Sequence, residues 1–144
     1  GIRDEPEYFR QAMAAPATLP EFNGNVAAVE TAPYWDKPLA DIADEMGVVG
    51  KAAYYLKKNE PRHVRTDPIA DAILDKYMGA DGMMTQQQIN AFMKEYRAKR
   101  IGSEKETMWK RGASNAGYHY LGCAKTLGLI GEAFAEAMLK MEQK

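Results

Sequence analysis

Helix-start signals are the feature that most constrains the fold of this 144-residue chain. Asp36 and Asp67 each precede a segment with helical spacing of apolar residues and a proline in its first turn. An acidic side chain caps a helix amino terminus well, and a proline there removes no intrahelical hydrogen bond. Thr85 and Gln88 have the spacing of a capping box. These signals predict three central helices that begin near Asp36, Asp67 and Thr85.

Helical spacing also marks both ends of the chain. The segment EYFRQAM predicts a short helix that stops before Pro16. A long amphipathic helix is predicted near the carboxy terminus, and we expect its apolar stripe to dock on the rest of the protein. The stripe consists of Leu127, Ile130, Phe134, Ala137 or Met138, and Met141.

The short apolar run at 26–29 is the best candidate for a strand. Val26 and Val29 flank two alanines, with Asn and Gly before the run and Pro33 after it. A near-continuous apolar run suits a strand that is covered on both faces. We therefore expect a mainly α fold with one or two short strands, in a single domain over 1–144.

Charge and composition exclude several functions. The net charge is −1 and the basic residues are scattered among acidic ones without forming a stripe, so we expect no nucleic-acid partner. No apolar stretch is long enough to cross a membrane, and the amino terminus lacks a signal-peptide pattern. Cys123 is the only cysteine, which excludes an intrachain disulfide and a multi-cysteine zinc site. We predict no cofactor and no metal.

Three isolated residues form weaker candidate sites. His63 stands between two predicted helices and has no obvious partner. Asp81 occupies a segment that superficially resembles a calcium-binding loop, but it is the only good oxygen ligand there. Cys123 follows His119 by four residues and could act with it as nucleophile and base. We interpret these as a solvated loop histidine, a turn and a packing residue.

His119 lies in the stretch NAGYHYLGCAKT, between two tyrosines. From the residues alone it is either a catalytic base or a structural histidine at the start of a helix. The run SNAGYHYLGCAKTLGLIGEAFAEAMLK resembles the carboxy-terminal block of SGNH-type carbohydrate esterases of the sialate O-acetylesterase kind. YFRQAMAAPATLPEFNGNVAAVETAPYWD resembles the region around the last strand of their sheet. The resemblance covers residues 8–36 and 112–141.

The resemblance implies a domain organisation and a fold. Esterase-like end segments at 1–36 and 112–144 would flank a helical insertion at 37–111. The family has a three-layer α/β fold, so the chain would be a partial α/β structure that carries this insertion. Family members remove acetyl esters from sugars such as sialic acid. Their placement, which the resemblance implies for this chain too, is secreted or periplasmic.

The resemblance also assigns catalytic roles. It makes His119 the general base, which takes a proton from a serine hydroxyl while amides stabilise the oxyanion. The family commonly has an aspartate three residues before this histidine, where this chain has Ala116. Asp36 is a possible substitute for that aspartate.

The nucleophile motif of the family, Gly-Asp-Ser or Gly-Gln-Ser, does not occur in this chain. Its only serines are Ser103 and Ser114, and neither stands in such a motif. We therefore predict the carboxy-terminal portion of a carbohydrate O-acetylesterase that is inactive alone and acts on an acetylated carbohydrate once completed. The alternative is a non-enzymatic helical module that binds a partner protein or a second copy of itself.

Overall fold

A computed structural model describes residues 7–115 and 118–143 of the protein. Its architecture is mainly helical, as the sequence predicts, and short 3-10 turns separate the longer helices. The five α-helices of the described residues are α1 (Glu7–Ala14), α2 (Lys37–Lys57), α3 (Pro68–Leu74), α4 (Gln86–Gly112) and α5 (Ala124–Glu142).

The predicted helix starts are confirmed by their capping hydrogen bonds. The Asp36 carboxylate accepts from the Leu39 amide at 3.1 Å, at the start of α2. The Asp67 carboxylate accepts from two backbone amides at the start of α3. Thr85 and Gln88 form both halves of the capping box at the start of α4. Each cap satisfies amides that the first helical turn leaves without a partner.

The prediction of a strand at 26–29 is wrong for this chain taken alone. Residues 26–31 contain no helix, strand, turn or bend, and the described residues contain no strand at all. A strand requires a neighbouring strand to pair with its backbone groups. No other described segment provides a neighbouring strand. The β-propensity of Val26 and Val29 therefore does not lead to a strand.

α4 is 27 residues long and is not continuous. Gly102 interrupts it with φ 72° and ψ 167°, a backbone conformation that glycine adopts without the steric penalty of a side chain. Ile101 lies just before this interruption and is buried, whereas Trp109 lies beyond it and packs in a different cluster.

Two clusters of buried side chains in the described part of the chain stabilise the fold. We call the larger one the helical core, which contains Val49, Ala52, Leu56, Val64, Ala70, Ile73, Leu74, Ile89, Phe92, Tyr96 and Ile101. We call the smaller one the terminal core, which contains Leu39, Ala40, Leu121 and Cys123. Burial of such apolar side chains is the main favourable contribution to folding.

α5 is only partly covered. Thr126 and Ile130 are its buried residues, so the predicted docking of the whole stripe is wrong. Leu127, Phe134 and Met138 are 48%, 50% and 60% exposed, and we call these three residues the α5 stripe. They share one face of the helix, because they follow each other at intervals of seven and four. None of the described helices combines the length and the apolarity that crossing a bilayer requires.

Candidate functional site

His119 is the first residue of a short turn, His119–Gly122, that precedes α5. The backbone of all four residues is left-handed, with φ of 47°, 55°, 61° and 61°. Only the last of them is glycine, and a side-chain-bearing residue in this conformation costs about 1–2 kcal/mol. Such strain persists only where the surrounding structure enforces it.

Hydrogen bonds from residues just after the end of α4 hold the turn. The Ser114 and Asn115 amides donate to the Leu121 carbonyl at 2.9 and 3.1 Å. The Ser114 hydroxyl donates to the Gly122 carbonyl at 2.9 Å. Leu121 itself is 5% exposed and belongs to the terminal core. The turn is thereby held both by hydrogen bonds to its backbone and by the packing of the Leu121 side chain in the terminal core.

Tyr120 connects the turn to the amino-terminal region. Its ring lies 5.6 Å from that of Trp35, tilted by 59°, and its hydroxyl is 3.4 Å from the Thr31 hydroxyl. The indole Nε1 of Trp35 is buried and has no hydrogen-bond partner within the described residues. The two end segments, far apart in sequence, therefore meet beside His119.

The His119 side chain is exposed. Its ring neighbour is Tyr118, with the ring centroids 6.4 Å apart. Across residues 7–115 and 118–143, no hydrogen bond or ion pair engages the imidazole. The backbone around His119 is thus held by hydrogen bonds, while its imidazole is exposed and bonds none of the described residues.

Asp36, the predicted substitute acid, is used elsewhere. Its Oδ1 accepts from the Leu39 amide, and its Oδ2 lies 3.2 Å from the Lys125 ammonium. Between described residues, no hydrogen bond links it to His119. The structure therefore does not bring the two predicted catalytic residues together. Ala116, where the family has its aspartate, lies outside the described residues.

The two serines do not supply a nucleophile for this imidazole. Ser114 donates its hydroxyl proton to the Gly122 carbonyl. Ser103 is an exposed residue of α4, directly after Gly102. Neither hydroxyl forms a hydrogen bond with His119 in the part of the chain that the structure describes, as an activated serine would.

The weaker candidate residues have structural neighbours. Cys123 is 4% exposed and packs in the terminal core. His63 stacks on Tyr55 at 4.5 Å, and Asp81 accepts from the Met83 amide within a turn. The described residues hold no group of three or more side chains that could bind a metal ion.

A polar cluster at the start of α3 was missed by the sequence reasoning. The buried Tyr96 donates its hydroxyl to Asp67 at 2.8 Å, and Arg100 bonds the same carboxylate oxygen. Burial and this hydrogen bond raise the pKa of Tyr96 to about 12. Burial alone would raise the pKa of Asp67. The hydrogen bonds to its carboxylate and the charge of Arg100 outweigh this effect, and the pKa of Asp67 is lowered overall. A tyrosine in an apolar stripe was the available signal, because a buried hydroxyl needs a partner.

Comparisons with protein-family models, curated proteins and solved structures gave no match. What can be said of this candidate site rests on the local geometry around His119. That geometry combines a strained backbone, an unengaged imidazole and two end segments in contact. It lacks a serine or a carboxylate bonded to the imidazole among the described residues.

Proposed function

We propose that this chain is the carboxy-terminal portion of an SGNH-type carbohydrate O-acetylesterase, with His119 as its general base. The observation that carries the proposal is the left-handed turn that holds an exposed His119. Strained backbone that is enforced by its surroundings concentrates at functional sites. The sequence resemblance around this turn supports the same role.

In the proposed reaction, a second polypeptide segment provides the serine. His119 accepts the serine hydroxyl proton while the serine oxygen attacks the acetyl carbonyl. The tetrahedral intermediate collapses, the protonated imidazole gives its proton to the departing sugar oxygen, and an acetyl-serine remains. Water, deprotonated by the same imidazole, then releases acetate and restores the serine hydroxyl.

The carboxylate that orients the imidazole comes with the serine in this proposal. Asp36 is not assigned that role, because both of its oxygens are engaged by Leu39 and Lys125. This chain contributes the imidazole and its position. The half-exposed α5 stripe supports a chain that binds a further polypeptide, since exposed apolar side chains on one helix face are typical of contact surfaces.

Reconstitution tests the proposal. The purified chain alone is expected not to hydrolyse an O-acetylated sugar. Activity is expected when it is mixed with the nucleophile-bearing half of an SGNH-type carbohydrate O-acetylesterase. His119→Ala should then abolish it, while His63→Ala, at the other histidine, should preserve it. Hydrolysis by the chain alone, or reconstituted activity that survives His119→Ala, would contradict the proposal.

The alternative function is a non-enzymatic helical module that binds a partner protein or a second copy. The α5 stripe is the observation that favours this alternative. Its exposure is explained by binding to any other protein, and that protein need not be catalytic. Sedimentation at increasing concentration distinguishes the two. A dimer that Phe134→Ser disrupts and His119→Ala leaves intact would support the module, and a monomer at all concentrations would argue against self-association.

A further inference from the structure

A cleft beside the helical core has no part in the functions considered above. It has a volume of about 250 Å³ and lies between α2, the segment that leads into α3, and α4. None of the described residues that line it belongs to the His119 turn or to the α5 stripe, so what it binds is independent of the proposed function. Clefts between packed helices are a common place for small-molecule sites. The chemistry of its lining therefore indicates what it could bind.

The most buried residues of the cleft are two aliphatic side chains and a tyrosine. Ala52, Val64 and Tyr96 line it and are at most 6% exposed. Tyr55 lines it too, and its ring stacks on His63 with the centroids 4.5 Å apart. A hydrocarbon group that enters the cleft would therefore leave water and contact apolar side chains of the helical core.

The carboxylate that lines the cleft is already engaged. Asp67 accepts from two backbone amides, from the Tyr96 hydroxyl and from Arg100. The Arg100 guanidinium balances its charge. The Nε of Arg100 is buried and has no hydrogen-bond partner among the described residues. This cluster thus has more donors than acceptors, and Asp67 does not favour a bound cation.

Lys51 supplies a positive charge at the rim of the cleft. It is exposed and lines the cleft one helical turn before Tyr55. Between described residues, no hydrogen bond, ion pair or ring contact engages its ammonium group. His63, the other basic side chain of the lining, has the Glu60 carboxylate 3.9 Å from its Nε2. Among the side chains that the structure describes, the cleft thus combines an apolar interior with a free ammonium group at its rim.

We propose that this cleft binds a small monocarboxylate with a ring or a branched hydrocarbon body. The body lies against Ala52 and Val64, and the carboxylate pairs with the Lys51 ammonium at the rim. A cavity of about 150 Å³ accommodates benzene, so a cleft of about 250 Å³ has room for a ring that carries a carboxylate. An inorganic anion fits less well because it would not use the apolar interior, and a neutral ring fits less well because it would leave Lys51 unpaired.

Titration of the full chain with benzoate, followed by amide chemical shifts in NMR spectra, tests the site. We expect saturable shifts at the amides of Lys51, Val64 and Thr66, which line the cleft, with half-saturation in the millimolar range typical of so small a ligand. Benzamide has the same shape without the charge, and acetate has the charge without the ring. Each should bind about tenfold or more weakly than benzoate. Shifts that do not saturate, or equal affinities for the three compounds, would overturn the inference.

Lys51→Gln tests the role of the charge. Glutamine favours the helix about as well as lysine does, and position 51 is exposed, so the fold should be intact. Benzoate should bind this variant about tenfold more weakly, and no more tightly than benzamide does. Lys57→Gln is the matched control, because Lys57 is exposed on the same helix and does not line the cleft. Equal benzoate affinity of the two variants would contradict the role of Lys51.

Val48→Phe tests the location of the ligand. Val48 lines the cleft and is only partly buried, so the larger ring is expected to occupy part of the space that the ligand needs. Benzoate and benzamide should both bind about fivefold or more weakly, because the loss concerns volume and not charge. Circular dichroism of the variant establishes that its helices are intact. An unchanged affinity for benzoate would place the ligand outside the cleft and overturn the inference.

Discussion

Lys125 Nζ lies 3.2 Å from Asp36 Oδ2, so an ion pair joins the start of α5 to the start of α2. The other oxygen of Asp36 caps α2. One carboxylate thus contacts the first residues of both helices beside the His119 turn. The helix cap and the ion pair explain why position 36 is an aspartate, and this explanation gives Asp36 no catalytic role.

Asp36→Ala should lower the free energy of unfolding by about 1 kcal/mol, because the cap of α2 is lost. Asp36→Asn is the matched control, since an asparagine caps equally well and should change stability little. The exposed Lys125 pairing adds little in either case. Chemical denaturation measures both variants. Equal destabilisation by Asn and Ala would show that the charge matters more than the cap.

Gly122→Ala should destabilise the turn by more than about 1 kcal/mol. A Cβ there would overlap the Ser114 hydroxyl oxygen and approach the Asn115 Cβ to 3.0 Å, at a backbone φ of +61°. Gly128→Ala is the control within α5, where a Cβ meets nothing within 4 Å. It should stabilise by about 0.5–1 kcal/mol, because alanine favours helix over glycine. Thermal unfolding of both variants decides whether the turn has this geometry.

The raised pKa of Tyr96 makes stability pH-dependent in the alkaline range. The folded protein holds the phenol proton more tightly than the unfolded chain. Its contribution is therefore fully present below pH 10 and is lost as the pH rises through about 12. Tyr96→Phe should reduce this alkaline loss, and Tyr118→Phe, at an exposed tyrosine, should not. An unchanged profile for Tyr96→Phe would contradict the buried Tyr96–Asp67 hydrogen bond.

Two phenylalanines test which faces are covered in the chain alone. Phe92 is fully buried in the helical core, whereas Phe134 is 50% exposed. Phe92→Ala should cost about 3–5 kcal/mol. Phe134→Ala should change stability by no more than about 0.5 kcal/mol, as exposed positions do. Urea titrations at low protein concentration give both values, and a large loss for Phe134→Ala would mean that α5 is covered already.

Local signals in the sequence predicted much of the fold. The caps at Asp36, Asp67 and Thr85 were predictable because each depends on atoms within a few residues of the helix start. The strand predicted at 26–29 does not form, because pairing depends on a neighbour elsewhere in space. The partial docking of α5 was not predictable for a similar reason. The spacing of apolar residues identifies an apolar face of the helix but does not show what covers that face.

The site was predictable only in part. The sequence singled out His119. Tyr120 and Leu121 have no propensity for left-handed backbone, so the sequence did not predict the turn that they form. The engagement of Asp36 by Lys125 joins residues far apart in sequence. Tertiary packing determines both the left-handed turn and the Asp36–Lys125 ion pair. Neither the spacing of residues nor the composition predicts such packing.

α2 and α4 each run through both cores. α2 gives Leu39 to the terminal core and Leu56 to the helical core, while α4 places Ile101 in one and Trp109 against the other. Melting either cluster would therefore fray a helix that the other needs, which makes their unfolding cooperative. A ligand that tightens the His119 turn should consequently slow amide exchange in the part of α4 around Phe92, which packs in the helical core, so that part of the helix becomes a thermodynamic reporter of events at the turn.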